Sequence, residues 1–196
     1  MQQTGTEQSF YWVRRDMLAL LLGVAMVPGC FRVAEAATAA EINKDADAAI
    51  KQLEAQDPNY RALLQKALGV LIFPKIIKGG LIIGSEYGEG ALRENGKTVR
   101  YYSIAAASLG LQAGGQSFSY ALLFMKQAAL DYLHKSDGWA VGSGPSVVVM
   151  DKGMAASMTS MTVTQDVIAI PFGQSGLMAG LSLEGSKITP INPSTT

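Results

Sequence analysis

The segment GEGALRENGKTVRYYSI, residues 88–104, contains a clear signal for chain reversal at Asn95-Gly96. Asn-Gly is the strongest short hairpin signal, because both residues accept the positive φ angles of a tight turn. Folding there places Glu94 opposite Lys97 and Leu92 opposite Val99, which pairs opposite charges and apolar side chains. The β-branched and aromatic residues that follow favour a strand. The segment therefore predicts an antiparallel hairpin.

Gly96-Lys97-Thr98 has a second interpretation, since this triplet also ends phosphate-binding loops. Such a loop needs a glycine five residues before the Gly-Lys pair and a helix directly after it. Ala91 occupies the position where the loop needs a glycine, and the nearby Gly88 and Gly90 are out of register. A strand pattern, and not a helix, follows Thr98. The hairpin is therefore favoured over a nucleotide site.

Two helices are predicted before the hairpin. Thr38 and Glu41 have the spacing of a capping box, followed by apolar residues at helical intervals. Asp57-Pro58 begins a second helix, with Asp as N-cap and Pro in the first turn, and Gly69 is well placed to end it.

Short apolar runs separated by glycine-containing turns then predict strands, with one helix at 125–134. Glu86 and Glu89 are interpreted as solvated charges in a glycine-rich turn. The predicted class is α+β, with N-terminal helices before a strongly bent, mostly antiparallel sheet, barrel-like or sandwich, and one inserted helix. Residues 38–190 form the domain and 191–196 a flexible tail. The predicted strands are 70–73, 81–83, 99–104, 109–113, 118–124, 146–150, 167–170 and 177–183.

The first 37 residues are predicted to be an export signal and a short linker. Arg14-Arg15 precedes an apolar stretch at 17–27, which has signal length and is too short to span a bilayer. Cys30 ends the sequence Val-Pro-Gly-Cys, which is similar to a bacterial lipobox and would receive acyl chains such as palmitate. Cleavage after Ala36 is the alternative and would remove Cys30. An acylated lipoprotein is the favoured interpretation.

The composition argues against several function classes. Sixteen basic and 16 acidic residues give no net charge, so no nucleic acid partner is predicted. One cysteine and one histidine exclude Cys/His metal clusters, and no cofactor is expected. His134 is interpreted as a helix-end residue that meets the dipole, and no catalytic arrangement is visible, so no enzyme is predicted. Four methionines could bind Cu(I) through their thioethers, but packing in the core is the favoured interpretation: Met150, Met154, Met158 and Met161.

Basic residues are concentrated in 58–85, which holds no acidic residue. Within it, VLIFPKIIKGGLII places lysines among bulky apolar residues, a combination that suits anionic lipid. A buried strand with two solvated lysines explains the same pattern, and both interpretations remain open here. The candidate lipid-binding residues are Arg61, Lys66, Phe73, Lys75, Ile76 and Lys78.

Four ordered blocks between Leu63 and Ile188 resemble the SYLF family of lipid-binding or actin-regulator domains: ALGVLIFPKIIKGGLIIGSEYGEGAL, SLGLQAGGQ, SGPSVVV and SGLMAGLSLEGSKI. Tyr102-Ser103 departs from the Trp-Ser that is common in the family. Eukaryotic relatives recognise phosphoinositides, and some bind actin. The resemblance implies phospholipid binding through the basic 61–78 segment, here in an envelope lipoprotein. Phe31 follows Cys30 in place of the acidic residue associated with inner-membrane retention, so the outer membrane is predicted, on the periplasmic side or at the surface. A protein partner in the envelope is the alternative.

Overall fold

The computed structural model describes residues 37–80, 83–109, 114–150, 164–175, 183 and 185–195. In these residues three helices accompany an eight-stranded, strongly curled half-barrel sheet, which confirms the predicted α+β class. The sheet order is β5-β8-β3-β2-β1-β4-β7-β6, and β6–β7 is parallel whereas the other pairs are antiparallel. The elements are α1 Ala39–Gln56, α2 Pro58–Lys66, β1 Gly69–Gly80, β2 Ile83–Glu94, β3 Lys97–Leu109, β4 Gly114–Phe124, α3 Gln127–Lys135, β5 Trp139–Ala140, β6 Val147–Val149, β7 Val167–Ser175 and β8 Lys187–Ile191.

Both N-terminal helices begin where the capping signals predict. The Thr38 hydroxyl accepts from the Glu41 amide, and the Glu41 carboxylate accepts from the Thr38 amide at 2.9 Å. The Asp57 carboxylate caps α2. The predicted end of α2 at Gly69 is wrong, because α2 ends at Lys66 and Gly69 is the first residue of β1. Its lack of a side chain makes room for a leucine of α3.

The Asn95-Gly96 hairpin is confirmed, with φ angles of 50° and 75° at the two turn residues. Glu94 pairs with Lys97 as predicted. The predicted pairing of Leu92 with Val99 is wrong: a register shift makes Leu92 the partner of Arg100. The shift is a β-bulge, which leaves Val99 exposed at the strand surface.

The glycine-rich segment after residue 83 is strand, which corrects the prediction of a turn there. Gly88 and Gly90 lie inside β2, on the face toward which Ile76 and Phe73 of β1 project. A Cβ at Gly88 would lie 2.8 Å from Ile76 Cγ1, and one at Gly90 would lie 2.6 Å from Phe73 Cδ1. These glycines therefore serve close packing between strands rather than chain reversal.

The sheet carries a hydrophobic core on each face. We call them the α1 face and the α3 face, after the helices that pack there. Buried residues of α1 and α2 join Ile72 and Ile170 on the α1 face, and residues of α3 join Phe73 and Trp139 on the α3 face. Residues 36–196 form one compact unit that contains both cores. In the described residues no helix has the length and apolar character needed to cross a membrane.

The C-terminal end packs against the domain, although a flexible tail is predicted from residue 191. Ile191 belongs to β8 and pairs with Tyr101, and the Ser194 carbonyl accepts from the Ala39 amide at 2.8 Å. The predicted strands at 81–83, 109–113 and 177–183 lie largely outside the described residues, although Ile83 begins β2 and Leu109 ends β3.

Candidate functional site

Two of the predicted lipid-contacting residues are sealed in the core. Phe73 and Ile76 have no exposed surface, because both point into the α3 face over the glycines of β2. A membrane surface cannot reach them in this conformation. Their assignment to a lipid-binding surface is therefore wrong, and their apolar character serves the core.

The predicted basic residues do not share one surface. Lys78 lies two residues after Ile76 and so projects to the α3 face, where it is the direct cross-strand partner of Glu86. Lys75 lines a groove beside α1, on the opposite face. Arg61 and Lys66 are exposed on α2. The basic segment is continuous in sequence but divided in space.

The groove beside Lys75 has a volume of about 290 Å³ and lies between α1 and three strands of the sheet. The α1 wall has its residues at helical spacing, with two alanines between an acid and an amide. The strands supply a lysine and two serines to this face, whereas the Phe118 ring packs in the α3-face core. The lining residues are Asp45, Ala48, Ala49, Gln52, Pro74, Lys75, Ser117, Phe118, Ser119 and Gly173.

Two β-bulges shape the floor of this groove. The first is in β1, where the three steps from Phe73 to Ile76 match only two steps on β4. The second is in β7, where the three steps from 172 to 175 match two steps on β4. Gly173 in the second bulge has a φ of 63°, which a glycine adopts without strain. Bulges re-aim side chains, and they are frequent beside functional sites.

Charged and hydroxyl groups line the groove, and Lys75 has Glu89 of β2 as its direct cross-strand partner. Asp45 and Lys75 carry opposite charges, and none of the ion pairs found in the described residues joins them. The Ser119 hydroxyl donates to the Pro74 carbonyl at 2.7 Å. The Ser117 and Ser175 hydroxyls share one hydrogen bond of 2.8 Å, so one hydroxyl proton of that pair is left to donate.

An exposed apolar pair lies next to the groove. Ile77 and Tyr87 are direct cross-strand partners and are 56% and 52% exposed. Ile77 is two residues beyond Lys75 and therefore on the same face. Tyr87 pairs in turn with exposed Ala105 of β3. We call Lys75, Ile77, Tyr87 and Ala105 the strand patch.

Tyr87 is held in place by a neighbouring acid. Its hydroxyl donates to Glu89 at 2.8 Å, and Glu89 also accepts from the Ala37 amide. Partial burial, together with this carboxylate, raises the pKa of Tyr87 to about 12. The side chain is therefore a neutral, oriented aromatic ring with a polar end, which suits an interface between water and apolar material.

Glu86 is buried on the α3 face, which corrects its interpretation as a solvated turn residue. It is 6% exposed, and its Oε1 has no hydrogen-bond partner within the described residues. Burial raises the pKa of this carboxyl, and the Lys78 ammonium opposes the rise. The hydroxyls of Tyr102 and Tyr120 on the same face are also buried without a partner there. The burial of Glu86 follows from the strand register, which places it on the same face as Gly88 and Gly90. Sequence spacing does not give that register.

His134 lies in the last turn of α3, as predicted, and has a partner that sequence spacing does not reveal. Its Nε2 is 2.6 Å from Glu94 Oε1, and its carbonyl accepts from Arg100. The contact joins α3 to the hairpin. Met150 is buried in the α1-face core, and the other three methionines of the predicted cluster lie outside the described residues. Among the described residues no group of His, Cys, Asp and Glu could hold a metal.

Part of this α+β domain is similar to a known protein family. A family model described as "Ysc84: Las17-binding protein actin regulator" matches residues 105–194. The matched range is less than half of the chain, and it confirms the predicted resemblance to the SYLF family. The family is known for lipid-binding or actin-regulator-like proteins and is generally non-enzymatic. The matched range begins within β3, so most of the groove lies before it.

A relative in Aeromonas veronii, named Beta cell expansion factor A, is 27% identical over 148 residues. The alignment covers 74% of this chain and 54% of that protein. The chain thus spans about half the length of the relative that it matches.

Proposed function

We propose that this protein is a non-enzymatic envelope lipoprotein whose folded domain binds phospholipid through the strand patch. The observation that carries the proposal is the exposed Ile77–Tyr87 pair beside Lys75 on one face of the sheet. Isoleucine and tyrosine suit the boundary between headgroups and acyl chains, and lysine suits the phosphates. This surface takes the place of the predicted one, whose apolar residues are buried.

The contact of the domain alone is weak. One basic residue near an anionic surface contributes about 1 kcal/mol, and two half-exposed apolar side chains add a similar amount each. Acyl chains on Cys30 would supply the stable anchor and hold the strand patch at high local concentration near the bilayer. Intact mass spectrometry of the exported protein is expected to show acylated Cys30, and a chain that starts at Ala37 would contradict the anchor. We place the protein at the outer membrane.

Sedimentation with vesicles tests the patch without the anchor. The compact unit, residues 36–196, is expected to pellet with vesicles that contain phosphatidylglycerol. Ile77→Ser/Tyr87→Ser is expected to weaken binding about thirtyfold, because it removes two apolar contacts of about 1 kcal/mol each. Val99→Ser is the matched control, since Val99 is 50% exposed but lies beside the Asn95-Gly96 hairpin. Failure of the wild-type unit to pellet, or equal loss in the control, would refute the proposal.

A protein partner is the second candidate, and the family description of a Las17-binding protein favours it. The same apolar patch would then contact an envelope protein. Unchanged vesicle binding in the double variant, combined with loss of a cross-linked protein complex, would support this alternative.

A further inference from the structure

We propose that the groove between α1 and the bulged strands binds one phosphoethanolamine headgroup, with the phosphate toward Lys75 and the primary ammonium toward Asp45. The inference rests on the proposed phospholipid binding and adds a headgroup class to it. It concerns a site distinct from the strand patch, although Lys75 borders both.

The charges on the two walls favour a ligand with both signs. Asp45 lies on the α1 wall and Lys75 on the bulge of β1, and they form no ion pair with each other. A purely anionic headgroup would meet Lys75 but would also meet the Asp45 carboxylate. A zwitterion places a counter-charge at each end and leaves neither wall unpaired.

Hydrogen-bond donors lie at the end of the groove where Lys75 is, and they suit a phosphate there. Ser117 lines the groove, and the Ser117–Ser175 pair retains one hydroxyl proton after forming its own bond. The Gln52 amide supplies further donors from α1. Ser119 is already committed to the Pro74 carbonyl and holds the bulge in shape. Phosphate oxygens accept from ammonium, hydroxyl and amide groups alike.

The carboxylate of Asp45 selects a primary ammonium. An ethanolamine nitrogen carries three N–H donors, whereas a choline nitrogen carries none and is bulkier. The groove volume of about 290 Å³ is at the small end of ligand sites, so it suits a headgroup rather than an entire lipid. Acyl chains would leave the groove past Lys75 toward Ile77 and Tyr87, which lie on the same face.

The α1 wall allows this occupancy because its central residues are alanines. Ala48 and Ala49 lie between Asp45 and Gln52, and Ala48 is exposed. A large side chain at Ala48 would fill the groove without disturbing a core, because the position faces solvent on a helix. Ala48→Phe is therefore a blocking variant that leaves both the acid and the lysine in place.

Titration followed by amide NMR shifts tests the proposal on residues 36–196, with monomeric dihexanoyl lipids as probes. Dihexanoyl phosphatidylethanolamine is expected to shift Ser117 and Lys75 saturably and to bind at least about tenfold more tightly than the phosphatidylcholine or phosphatidylglycerol analogue. Phosphatidylcholine has a cation without N–H donors for Asp45, and phosphatidylglycerol has no cation at all. Asp45→Asn is expected to abolish the preference, and Ala48→Phe to abolish the shifts. Glu54→Gln, an acid of α1 outside the groove, is expected to bind as the wild type does.

Glycerophosphoethanolamine, which has no acyl chains, separates a lipid headgroup from a free solute. We expect it to bind more weakly than the dihexanoyl lipid, because it cannot reach the strand patch. Equal affinities would overturn the lipid assignment. Equal affinity for all three lipid headgroups, or binding that survives Ala48→Phe, would refute the headgroup site in the groove. Vesicle binding that depends on the strand patch would still support the proposed function. Loss of vesicle binding by the wild type would instead overturn the proposed function.

Discussion

At the scale of single residues, Gly88 and Gly90 set how closely β1 and β2 pack. Their spacing in sequence is typical of a turn, yet both lie in a strand beneath Ile76 and Phe73. The sequence shows that these positions lack side chains, but it does not show which neighbour occupies the space. That neighbour comes from a strand paired across the sheet, so only the tertiary register identifies it.

Gly90→Ala is expected to destabilise the fold by about 2–3 kcal/mol, because overpacking forces strand displacement. The new Cβ would clash with the Ile72 carbonyl oxygen, and backbone cannot yield as a side chain does. Gly79→Ala is the matched control in the adjacent strand, since a Cβ there meets nothing within 4 Å. Denaturant unfolding measures both, and equal destabilisation would contradict the packing argument.

Glu86→Gln is expected to stabilise the protein at neutral pH. Burial raises the native pKa of Glu86 above its ordinary value of 4.5, so the native state binds this proton more tightly than the unfolded state does. Stability of the wild type therefore falls as pH rises from about 4.5 toward the native pKa, and the variant lacks this loss. Thermal unfolding at pH 4 and pH 8 should show a gain for the variant only at pH 8.

At the scale of elements, the helix caps join residues that are close in sequence, whereas the contacts between elements join residues that are far apart. The Thr38–Glu41 box and the Asp57 cap lie within three residues of their partners, which is why the sequence predicts both helix starts. The position of His134 in the last turn is predicted for the same reason. Its contact with Glu94 joins residues 40 apart in sequence, and no spacing rule reveals it.

Asp166 links three elements and supplies a pH-dependent test. Its carboxylate accepts from the Lys126 ammonium before α3 and from the Ser146 amide and hydroxyl before β6. These contacts lower the pKa of Asp166 to about 2.

Asp166→Asn is expected to cost about 1 kcal/mol at pH 6, since charge-assisted hydrogen bonds are lost at a partly exposed site. A lowered native pKa gives stability that is present above the ordinary value of 3.8 and disappears as pH falls toward 2. The difference from wild type should therefore shrink across that window in urea unfolding. A difference that stays constant down to pH 2 would exclude the ionised carboxylate as its cause.

At the scale of the whole molecule, the sheet divides a basic segment that is continuous in sequence. Lys75 and Lys78 are three residues apart in a regular stretch of β1, so strand alternation places them on opposite faces. Only Lys75 lies beside the exposed apolar pair. The lipid-binding surface predicted from the 61–78 segment is therefore replaced by the strand patch, and the two have Lys75 in common.

Lys75→Gln is expected to weaken binding to phosphatidylglycerol vesicles several-fold and to reduce its salt dependence, because one charge beside the membrane is lost. Lys78→Gln removes the same charge from the α3 face and serves as the matched control, with binding close to wild type. Vesicle sedimentation at low and high salt measures both. Equal weakening by the two variants would mean that the faces do not act separately.

Sequence patterns were enough to predict the helix starts, the Asn95-Gly96 turn, the α+β class and the family resemblance. Each of these depends on contacts between residues close in sequence or on motifs in fixed order. Tertiary structure was needed to show that Phe73, Ile76 and Glu86 are buried and that Ile77 and Tyr87 are exposed. It was also needed to show that Asp45 and Lys75 line one groove. Those outcomes depend on strand register and on two bulges, where one extra residue turns the side chains that follow to the opposite face.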